Sequence, residues 1–328
     1  MNDKTMIAIK GLKVELMSMY GLIYAVRDIN LNIQNGVIHG IVGESGCGKS
    51  MTAKSIMRLH DESKTEYSGS IILDGERDIL KMSRKELQMM RGKDISMIFQ
   101  DPMTALNPVV TIGKQMTETL LCHEKISKEE AKERAVALLE KVGIRPGRER
   151  FNSYPFEMSG GQLQRVCIAM SLLCNPRLLI ADEPTTALDV TMQAQILELL
   201  KNLQRESNSA ILIITHNFGV VAEICDVVSV MYAGQIVETG DVREIFNNPQ
   251  HPYTRDLIAC IPKAGRKDTE LKSINGQPPL LNNTLKGCPY ATRCHHAIEK
   301  CFQETPELRS VGKTHECMCF LAKEMPNE

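Results

Sequence analysis

The chain lacks several features that would assign it to a particular class of protein. It contains no tryptophan, aromatic residues make up 4% of its 328 residues, and its formal net charge is −1. A nearly neutral chain carries no overall basic field that would draw it to nucleic acid or to anionic lipid. Spanning a bilayer takes about 20 consecutive apolar residues, whereas the longest apolar runs here are short segments such as 210–214.

The N-terminal residues and the cysteines together indicate a compartment. Residues 1–10 contain no long apolar stretch ahead of a cleavage site, so we expect that the protein is not secreted. The 11 cysteines then predict a reducing environment, in which thiols serve as core residues or metal ligands and not as disulfides. We expect a folded cytoplasmic protein that reaches a membrane only through partners.

Apolar periodicity predicts strands and helices in alternation. Strands are predicted at 7–16, 25–33, 37–42, 69–73, 95–99, 178–181, 210–215, 227–232 and 236–238. Helices are predicted at 52–58, 128–141, 162–174 and 193–206. Such alternation implies a mostly parallel α/β sheet, with a helical subdomain at about 101–162.

The composition changes beyond Gly240. Turn-forming residues crowd segments 247–253 and 275–279, and five cysteines fall within 288–319. We therefore predict a nucleotide-binding domain at 1–240 and a cysteine-rich C-terminal extension at 241–328.

A glycine-rich segment follows the strand at 37–42 and precedes a helix. Residues 43–50, Gly-Glu-Ser-Gly-Cys-Gly-Lys-Ser, fit the phosphate-loop pattern G-x-x-x-x-G-K-S/T. Glycines allow successive backbone N–H groups to turn inward around a β-phosphate. We expect Lys49 to reach the β and γ oxygens and Ser50 to place its hydroxyl on Mg²⁺. The strand before the segment and the helix after it argue against a chance glycine-rich turn.

Two carboxylates, Asp182 and Glu183, follow four apolar residues. This places Asp182 at the C-terminal end of a buried strand, where a carboxylate can hold Mg²⁺ directly or through water. Glu183 is then placed to polarise the water that attacks in a phosphoryl transfer. Paired acids could instead begin a solvated loop, but the phosphate loop upstream favours the metal site.

Residues 158–162, Met-Ser-Gly-Gly-Gln, lie between these two motifs. Ser159 and the N–H groups of Gly160 and Gly161 precede a helix, which suits a γ-phosphate presented by an opposing subunit. The same residues also fit an ordinary N-cap with a glycine turn. In this order the three motifs resemble those of the ATP-binding-cassette (ABC) ATPases, in which two subunits pair head to tail and each signature closes on the nucleotide of the other. Met158 stands where the family more often has leucine, a volume-conserving exchange.

The resemblance covers about residues 7–240 and implies a fold: a P-loop NTPase cassette with a RecA-like parallel-sheet core, antiparallel N-terminal strands and the helical subdomain. It implies ATP and Mg²⁺ as cofactors, with Gln100 and Asp182 joining Ser50 at the metal. Gln100 ends the strand at 95–99, and the loop after it would sense a membrane partner. Apart from the resemblance, Gln100 would be interpreted as a surface residue.

Two further residues match the family by their positions. His216 follows the strand at 210–215 and corresponds to the family's switch histidine, which would hold Glu183 and water in line with the γ-phosphate. A histidine after a strand can also be purely structural. Asp189, in the sequence Ala-Leu-Asp, resembles the loop through which the two subunits sense each other's site.

The resemblance thus implies a complete set of site residues. The catalytic residues are Glu183, His216 and Gln100. The nucleotide-binding residues are Tyr20, Gly43, Glu44, Ser45, Gly46, Cys47, Gly48, Lys49, Ser50, Met51, Gln100, Ser159, Gly160, Gly161, Gln162, Asp182 and Asp189. Tyr20 is chosen as the aromatic residue that stacks on adenine; Tyr24 is the alternative, and counting back from the phosphate loop reaches Leu16, which cannot stack.

The extension carries candidate metal ligands, namely Cys288, Cys294, Cys301 and Cys317. Zinc sites usually pair ligands two to four residues apart, a spacing found only between Cys317 and Cys319. Four thiolates on loops could bind a [4Fe–4S] cluster. Segments 251–254 and 287–294 resemble the extension of the oligopeptide/dipeptide/nickel permease ATPases, some of which carry such a cluster. Zinc and free thiols stay open as alternatives, as does Cys319 in place of Cys317.

These resemblances predict an ATP-hydrolysing, energy-coupling subunit of an importer for oligopeptides, dipeptides or nickel, bound peripherally to the cytoplasmic face of the cell membrane. They imply a second ABC ATPase subunit, identical or related, two transmembrane permease subunits and an extracytoplasmic substrate-binding protein, but no nucleic acid. The alternative is a soluble ABC ATPase acting on DNA or ribosomes, although such proteins usually carry coiled coils, tandem cassettes or basic arms. A small-molecule kinase would leave the signature, Asp189 and His216 unexplained.

Overall fold

The computed structural model describes residues 5–19, 21–186, 188–261, 273–282 and 285–322. In these ranges the strands are β1 (Thr5–Ser18), β2 (Gly21–Gln34), β3 (Ile38–Val42), β4 (Thr65–Leu73), β5 (Arg77–Asp78), β6 (Ile95–Ile98), β7 (Leu178–Asp182), β8 (Ala210–Thr215), β9 (Val227–Tyr232), β10 (Gln235–Asp241), β11 (Arg309–Ser310) and β12 (Glu316–Cys317). The α-helices are α1 (Lys49–Ile56), α2 (Arg84–Met90), α3 (Pro102–Ala105), α4 (Ile112–His123), α5 (Lys128–Lys141), α6 (Gly147–Arg150), α7 (Gly160–Leu172), α8 (Val190–Ser207), α9 (Phe218–Ile224), α10 (Val242–Asn247), α11 (Pro252–Ala259) and α12 (Glu299–Gln303).

Several predicted elements are confirmed with their ends. Helix α5 and strands β8 and β9 have the predicted bounds. Helix α5 is capped at its N-terminus, because the Ser127 hydroxyl accepts a hydrogen bond from the Glu130 N–H at 3.0 Å. Strands β1 and β2 extend beyond their predicted ranges.

The chain divides into two compact units, which we describe separately. The signature unit comprises the described residues of 1–6, 34–36 and 81–213. The loop unit comprises those of 7–33, 37–80 and 214–328. The described residues beyond 240 therefore belong to the same compact unit as the phosphate loop.

The loop unit contains an antiparallel sheet with the strand order β2-β1-β4-β5. Strand β1 runs antiparallel to β4, with Ile7 opposite Leu73. Strand β4 leads into β5 through Asp74 and Gly75, whose φ angles of +57° and +76° are those of a type I′ turn. The antiparallel arrangement of the N-terminal strands was predicted.

The loop unit also contains part of the main sheet, in the order β11-β12-β10-β9-β3. Strand β3 runs parallel to β9, and β9 turns back into antiparallel β10 at Ala233 and Gly234, both with positive φ. Strand β10 pairs in turn with β12, with Glu238 opposite Cys317. The C-terminal extension thus adds its own short strands to the sheet that carries the phosphate loop.

The signature unit contains the parallel strands β6 and β7, with Ile95 opposite Leu178, and β8 lies on the other side of β7. These strands are buried throughout, as expected for a parallel sheet that is covered on both faces. Helices α4, α5 and α7 pack against one another within this unit. In the described part of the chain, no helix is both long enough and apolar enough to cross a membrane.

Candidate nucleotide-binding site

The phosphate loop connects β3 to α1 and requires glycine for steric reasons. A Cβ atom on Gly43 would lie 2.2 Å from the Met231 carbonyl oxygen. A Cβ atom on Gly48, whose φ is +106°, would lie 2.5 Å from the Ala25 carbonyl oxygen. Both neighbours are backbone atoms, which cannot move aside like the end of a side chain. The loop can therefore lie this close to the surrounding strands only because these positions lack a side chain.

Lys49 turns back onto the loop that precedes it. Its ammonium donates hydrogen bonds of 2.9 Å to the carbonyl oxygens of Gly43 and Glu44 and is 5% exposed. Cys47 is buried beside it, and burial raises the pKa of its thiol, so that Cys47 packs as a neutral side chain. The remaining predicted loop residues are distributed around this core: Gly48 is buried, Glu44, Ser50 and Met51 are half-buried, and Ser45 and Gly46 are exposed.

The two carboxylates lie where β7 ends, as predicted. Asp182 is 3% exposed, the last residue of the strand. Glu183 follows with a φ of +48°, a left-handed conformation that is uncommon for residues other than glycine. Its Oε2 accepts hydrogen bonds from Thr186 Oγ1 at 2.7 Å and from Gln100 Nε2 at 3.3 Å. The signature unit thus brings Gln100 and Glu183 together.

A contact that the sequence did not predict supports this strained turn. Gln164, on α7, is 3% exposed and its side-chain amide donates a 2.8 Å hydrogen bond to the Pro184 carbonyl. It ties the helix that follows the signature to the residue after Glu183. Backbone strain persists only where surrounding contacts hold it, and it is frequent at functional sites.

The signature segment forms the start of α7. The Ser159 hydroxyl accepts from the Gln162 N–H at 3.4 Å, and Gln162 Oε1 accepts from the Ser159 N–H at 3.1 Å, which makes a capping box. The N-cap interpretation of Ser159 is therefore correct. Ser159 and Gly160 are exposed, and a Cβ atom on Gly160 would meet no atom within 4 Å. This end of the helix is open to another molecule.

Asp189 and His216 lie in different units. Asp189 is exposed and caps α8, since its side chain accepts a 2.9 Å hydrogen bond from the Met192 N–H. His216 is exposed directly after β8. Tyr20 lies outside the described residues. The alternative Tyr24 is half-buried, with the Arg27 guanidinium 5.4 Å from its ring centroid.

The cysteines of the extension do not form a ready metal site. Among the residues that the structure describes, no three or more His, Cys, Asp or Glu side chains are positioned to hold a metal ion. Burial raises the pKa values of the Cys288, Cys294 and Cys319 thiols, and neighbouring thiols of a set that also includes Cys301 raise them further. The thiols that lie close enough to affect one another's pKa values are therefore those of Cys288, Cys294, Cys301 and Cys319. Cys317 packs with Cys319, Ala322 and Val311 in a small buried cluster, where burial, Glu238 and Cys319 raise the pKa of its thiol.

Comparison with known families agrees with this geometry. Residues 26–186 match the ABC transporter family, and residues 237–301 match the oligopeptide/dipeptide transporter C-terminal region. The chain is 51% identical over 312 residues to an oligopeptide transport ATP-binding protein of Bacillus subtilis (strain 168), covering 94% of this chain and 87% of that protein. It is 45% identical over 315 residues to a dipeptide transport ATP-binding protein of the same organism, covering 96% of this chain and 94% of that protein.

A solved structure gives the same result for the fold. A dimeric ATP-binding cassette, MJ0796, in a post-hydrolysis state with bound ADP and phosphate, superposes with a TM-score of 0.65 and 29% identity, covering 73% of this chain and 99% of that one. The chain therefore belongs to the ABC transporter ATPases, and within them to the oligopeptide/dipeptide permease group. It is an ATP-binding, ATP-hydrolysing subunit, and the predicted family and cassette fold are confirmed.

Proposed function

We propose that this ATPase drives the import of oligopeptides or dipeptides through a membrane permease. The C-terminal match at residues 237–301 carries the proposal, since that region is specific to the peptide class, whereas the cassette is common to the whole family. ATP binds the closed dimer more tightly than the open one, and this difference in affinity is what can drive a conformational change in a partner. Nickel stays the alternative cargo, because an ATPase subunit does not contact what is transported.

In the proposed reaction the phosphate loop holds the nucleotide. Lys49 exchanges its hydrogen bonds to the loop carbonyls for the β and γ oxygens of ATP, and the N–H groups of residues 43–51 surround the phosphates. Ser50, Gln100 and Asp182 supply the oxygen ligands that Mg²⁺ prefers. When held by these residues, Mg²⁺ would supply positive charge to the phosphate oxygens.

Glu183 is proposed as the general base and His216 as the residue that steadies the γ-phosphate. Two donors, Thr186 and Gln100, act on one carboxylate oxygen of Glu183 and fix its orientation. A fixed carboxylate aligns an attacking water at little entropic cost. The left-handed backbone at Glu183 is part of the same fixed turn.

A second cassette completes the proposed site. Ser159, Gly160 and Asp189 are exposed, whereas the phosphate loop is largely enclosed by its own unit. An exposed helix N-terminus with open N–H groups binds phosphate well. We propose that Ser159, Gly160, Gly161 and Gln162 contact the nucleotide of the other subunit, identical or related, and that Asp189 lies at the same junction.

The permease is proposed to dock around the segment after Gln100. Phe99, Met103 and Val109 are 40%, 59% and 79% exposed, and exposed apolar residues close together are typical of contact surfaces. We propose a peripheral location on the cytoplasmic face of the membrane, with two permease subunits and an extracytoplasmic binding protein. We also propose that residues 1–240 bind nucleotide and permease, with residues 241–328 as the extension.

Co-expression with a peptide permease and its binding protein tests the proposed function. We expect the chain to sediment with membranes only when the permease is present, and its ATPase rate in proteoliposomes to rise with added peptide. Stimulation by nickel chelates alone would contradict the peptide assignment. An ATPase rate that does not change with the permease but rises with DNA or ribosomes would support the soluble alternative, which no residue pattern in the chain favours.

We also propose a [4Fe–4S] cluster on Cys288, Cys294, Cys301 and Cys319. The support is local: backbone N–H groups two residues ahead, from Tyr290, His296 and Leu321, donate to the sulfurs of Cys288, Cys294 and Cys319. Such hydrogen bonds stabilise thiolate ligands and tune the cluster.

Anaerobic purification tests this proposal, with iron and acid-labile sulfide as the readout. Cys319→Ser should lose iron, and Cys317→Ser, the matched control, should retain it. Iron-free, colourless wild-type protein would contradict the cluster, and loss of iron on Cys317→Ser alone would return Cys317 to the ligand set.

A further inference from the structure

A buried ion pair joins the C-terminal extension to the phosphate loop. The Arg293 guanidinium donates from Nη1 to Glu44 Oε2 at 2.7 Å and from Nη2 to Glu44 Oε1 at 3.0 Å. The Arg293 side chain is 3% exposed and that of Glu44 is 26% exposed. Two parallel N–H···O bonds to one carboxylate are the strongest and most directional form of such a pair.

Every donor of this guanidinium is used. Besides the two bonds to Glu44, Nε donates to the Asn275 carbonyl at 2.9 Å, Nη1 to the Tyr232 hydroxyl at 3.2 Å and Nη2 to the Ile274 carbonyl at 3.4 Å. A guanidinium has five N–H donors in a rigid fork, so that the surroundings determine its position completely. Ion pairs on the surface are not fixed by such additional contacts, and they contribute little to stability. The pair between Arg293 and Glu44 is therefore held in one position within the loop unit.

Aromatic side chains enclose the pair. Tyr232, Tyr253 and Tyr290 are each 0–1% exposed, and their ring centroids lie 4.5–5.2 Å apart. The Tyr253 hydroxyl accepts a 2.9 Å hydrogen bond from the Glu44 N–H. The Glu44 carbonyl accepts from Lys49, which belongs to the loop. The N–H and the carboxylate of Glu44 are bound by Tyr253 and Arg293, which belong to the extension. All polar groups of Glu44 therefore have a partner.

We propose that Arg293 is a positioning residue of the nucleotide site, which neutralises Glu44 and fixes the phosphate loop in the shape that accepts ATP. The loop has to bind a polyanion, yet it carries a carboxylate of its own. Paired with Arg293, that carboxylate presents no net charge to the phosphates. Released from the pair, it would repel them and leave its segment of the loop free to move.

The proposal gives the extension a role in nucleotide affinity. It rests on the ATP-binding activity of the phosphate loop and is independent of the cargo. Glu44 lies in the phosphate loop and Arg293 lies in the extension, 249 positions further along the chain. If the extension detached from the loop unit, this pair would break and ATP binding would weaken. Cys294 directly follows Arg293, so a change at the thiols would act on the same segment.

Binding of Mg-ATP to the full chain tests the proposal, because removal of the positive charge and removal of the negative charge should change the affinity in opposite directions. We compare wild type, Arg293→Gln, Glu44→Gln and the double variant by titration with Mg-ATP, and measure KM and kcat of each. Arg293→Gln should raise the Kd on the order of tenfold, the loss typical for a hydrogen bond between charged groups, with kcat little changed. Glu44→Gln removes the negative charge beside the phosphates but keeps a side-chain oxygen that can accept from Arg293, so it should lower the Kd several-fold, and the double variant should regain most of the affinity lost in Arg293→Gln.

Arg309→Gln is the matched control. Arg309 also lies in the extension, where it donates to the carbonyls of Cys319, Phe320 and Ala322. Its loss should lower the melting temperature without changing the Kd for Mg-ATP. The effect of Arg293→Gln should also shrink at high salt, because ions screen the repulsion from Glu44.

The two single variants are expected to change the Kd for Mg-ATP in opposite directions, and this difference decides the outcome. Were Glu44→Gln to leave the Kd for Mg-ATP unchanged or raise it, or were the double variant as weak as Arg293→Gln, the pair would serve only to anchor the extension and the proposal would be wrong. If Arg293→Gln does not fold, Glu44→Gln alone still decides, since only neutralisation predicts tighter binding of Mg-ATP. A wild-type chain that binds no Mg-ATP would instead contradict the ATPase assignment.

Discussion

The phosphate loop and the signature segment are both glycine-rich turns that start a helix, yet they are held in different ways. In the loop, Lys49 is 5% exposed and a Cβ atom on Gly43 would strike the backbone at 2.2 Å. In the signature, Ser159 and Gly160 are exposed and the space around Gly160 is open. Close contacts within its own unit shape the loop, whereas the start of the signature segment is exposed.

The two segments also differ in the origin of their contacts. Glu44 in the loop is bound by Arg293 and Tyr253, which follow it by more than 200 residues. Ser159 is bound by Gln162, three residues away. A preformed loop binds its ligand without a further ordering cost. The exposed signature is instead held by a capping box within its own helix turn.

The largest expected effect separates turnover from binding. Glu183→Gln removes the proposed base and should slow ATP hydrolysis by about 10²–10⁴-fold, while Mg-ATP affinity is kept and the closed dimer accumulates. Phosphate release and light scattering measure both. Fast turnover would remove Glu183 from this role. A trapped variant that stays monomeric with saturating Mg-ATP and every companion subunit would contradict the paired site.

Lys49→Ala is the counterpart in the loop and should act on binding first. Loss of a charge-assisted contact to the phosphates should raise the Kd for Mg-ATP by about 10–100-fold. Nucleotide titration measures this, with Glu183→Gln as the control that retains affinity. Equal affinity in Lys49→Ala and wild type would break the comparison, because the loop would then not be the binding element.

Acid should unfold the unit that holds the loop. Burial lowers the pKa values of His39 and His251 to about 4 from the ordinary value of 6.5. Above pH 6.5 both are neutral in the folded and unfolded chain; as the pH falls from 6.5 to 4, only the unfolded chain takes up their protons. The free energy of unfolding should therefore fall over this range by up to about 3 kcal/mol for each histidine.

Urea denaturation at pH 7 and pH 4.5 checks this pH dependence. His251→Asn should flatten it, since this histidine is 1% exposed and its Nε2 has no hydrogen-bond partner among the described residues. An unchanged slope in His251→Asn would exclude His251 as one of its sources.

The smallest effect contrasts one glycine from each motif. Gly43→Ala should lower the free energy of unfolding by about 1–3 kcal/mol, because its Cβ atom would overlap the Met231 carbonyl. Gly160→Ala should change it by no more than about 0.5 kcal/mol, since an open surface accepts a methyl group. Thermal or urea unfolding measures both. Equal losses would mean that the signature is as tightly packed as the loop.

Local patterns predicted the cassette well. The helix at 128–141 and the strands at 210–215 and 227–232 occur with the predicted bounds, because periodic burial and a serine cap act over a few residues. The phosphate loop, the two acids and the signature lie at the ends of the predicted elements. The left-handed conformation of Glu183 was not predictable, since glutamate has no preference for it and the support comes from Gln164.

The extension was predicted less completely. Cys317 was named as the fourth ligand with Cys319 as its possible replacement, and the two thiols lie in one buried cluster with Ala322 and Val311. Spacing along a loop does not report which of two neighbouring thiols faces a given set. Arg293 was not singled out at all, because an arginine in a cysteine-rich segment has no local signature of its partner.

The amino-acid sequence by itself determined the chemistry of this protein: a phosphate loop, a carboxylate pair and a signature are short motifs whose function follows from backbone geometry over a few residues. Tertiary structure alone decided what surrounds Glu44, how Glu183 is oriented and which thiols share a neighbourhood. The reason is distance along the chain. The bond from Arg293 to Glu44 joins residues 249 positions apart, and only folding brings such residues together.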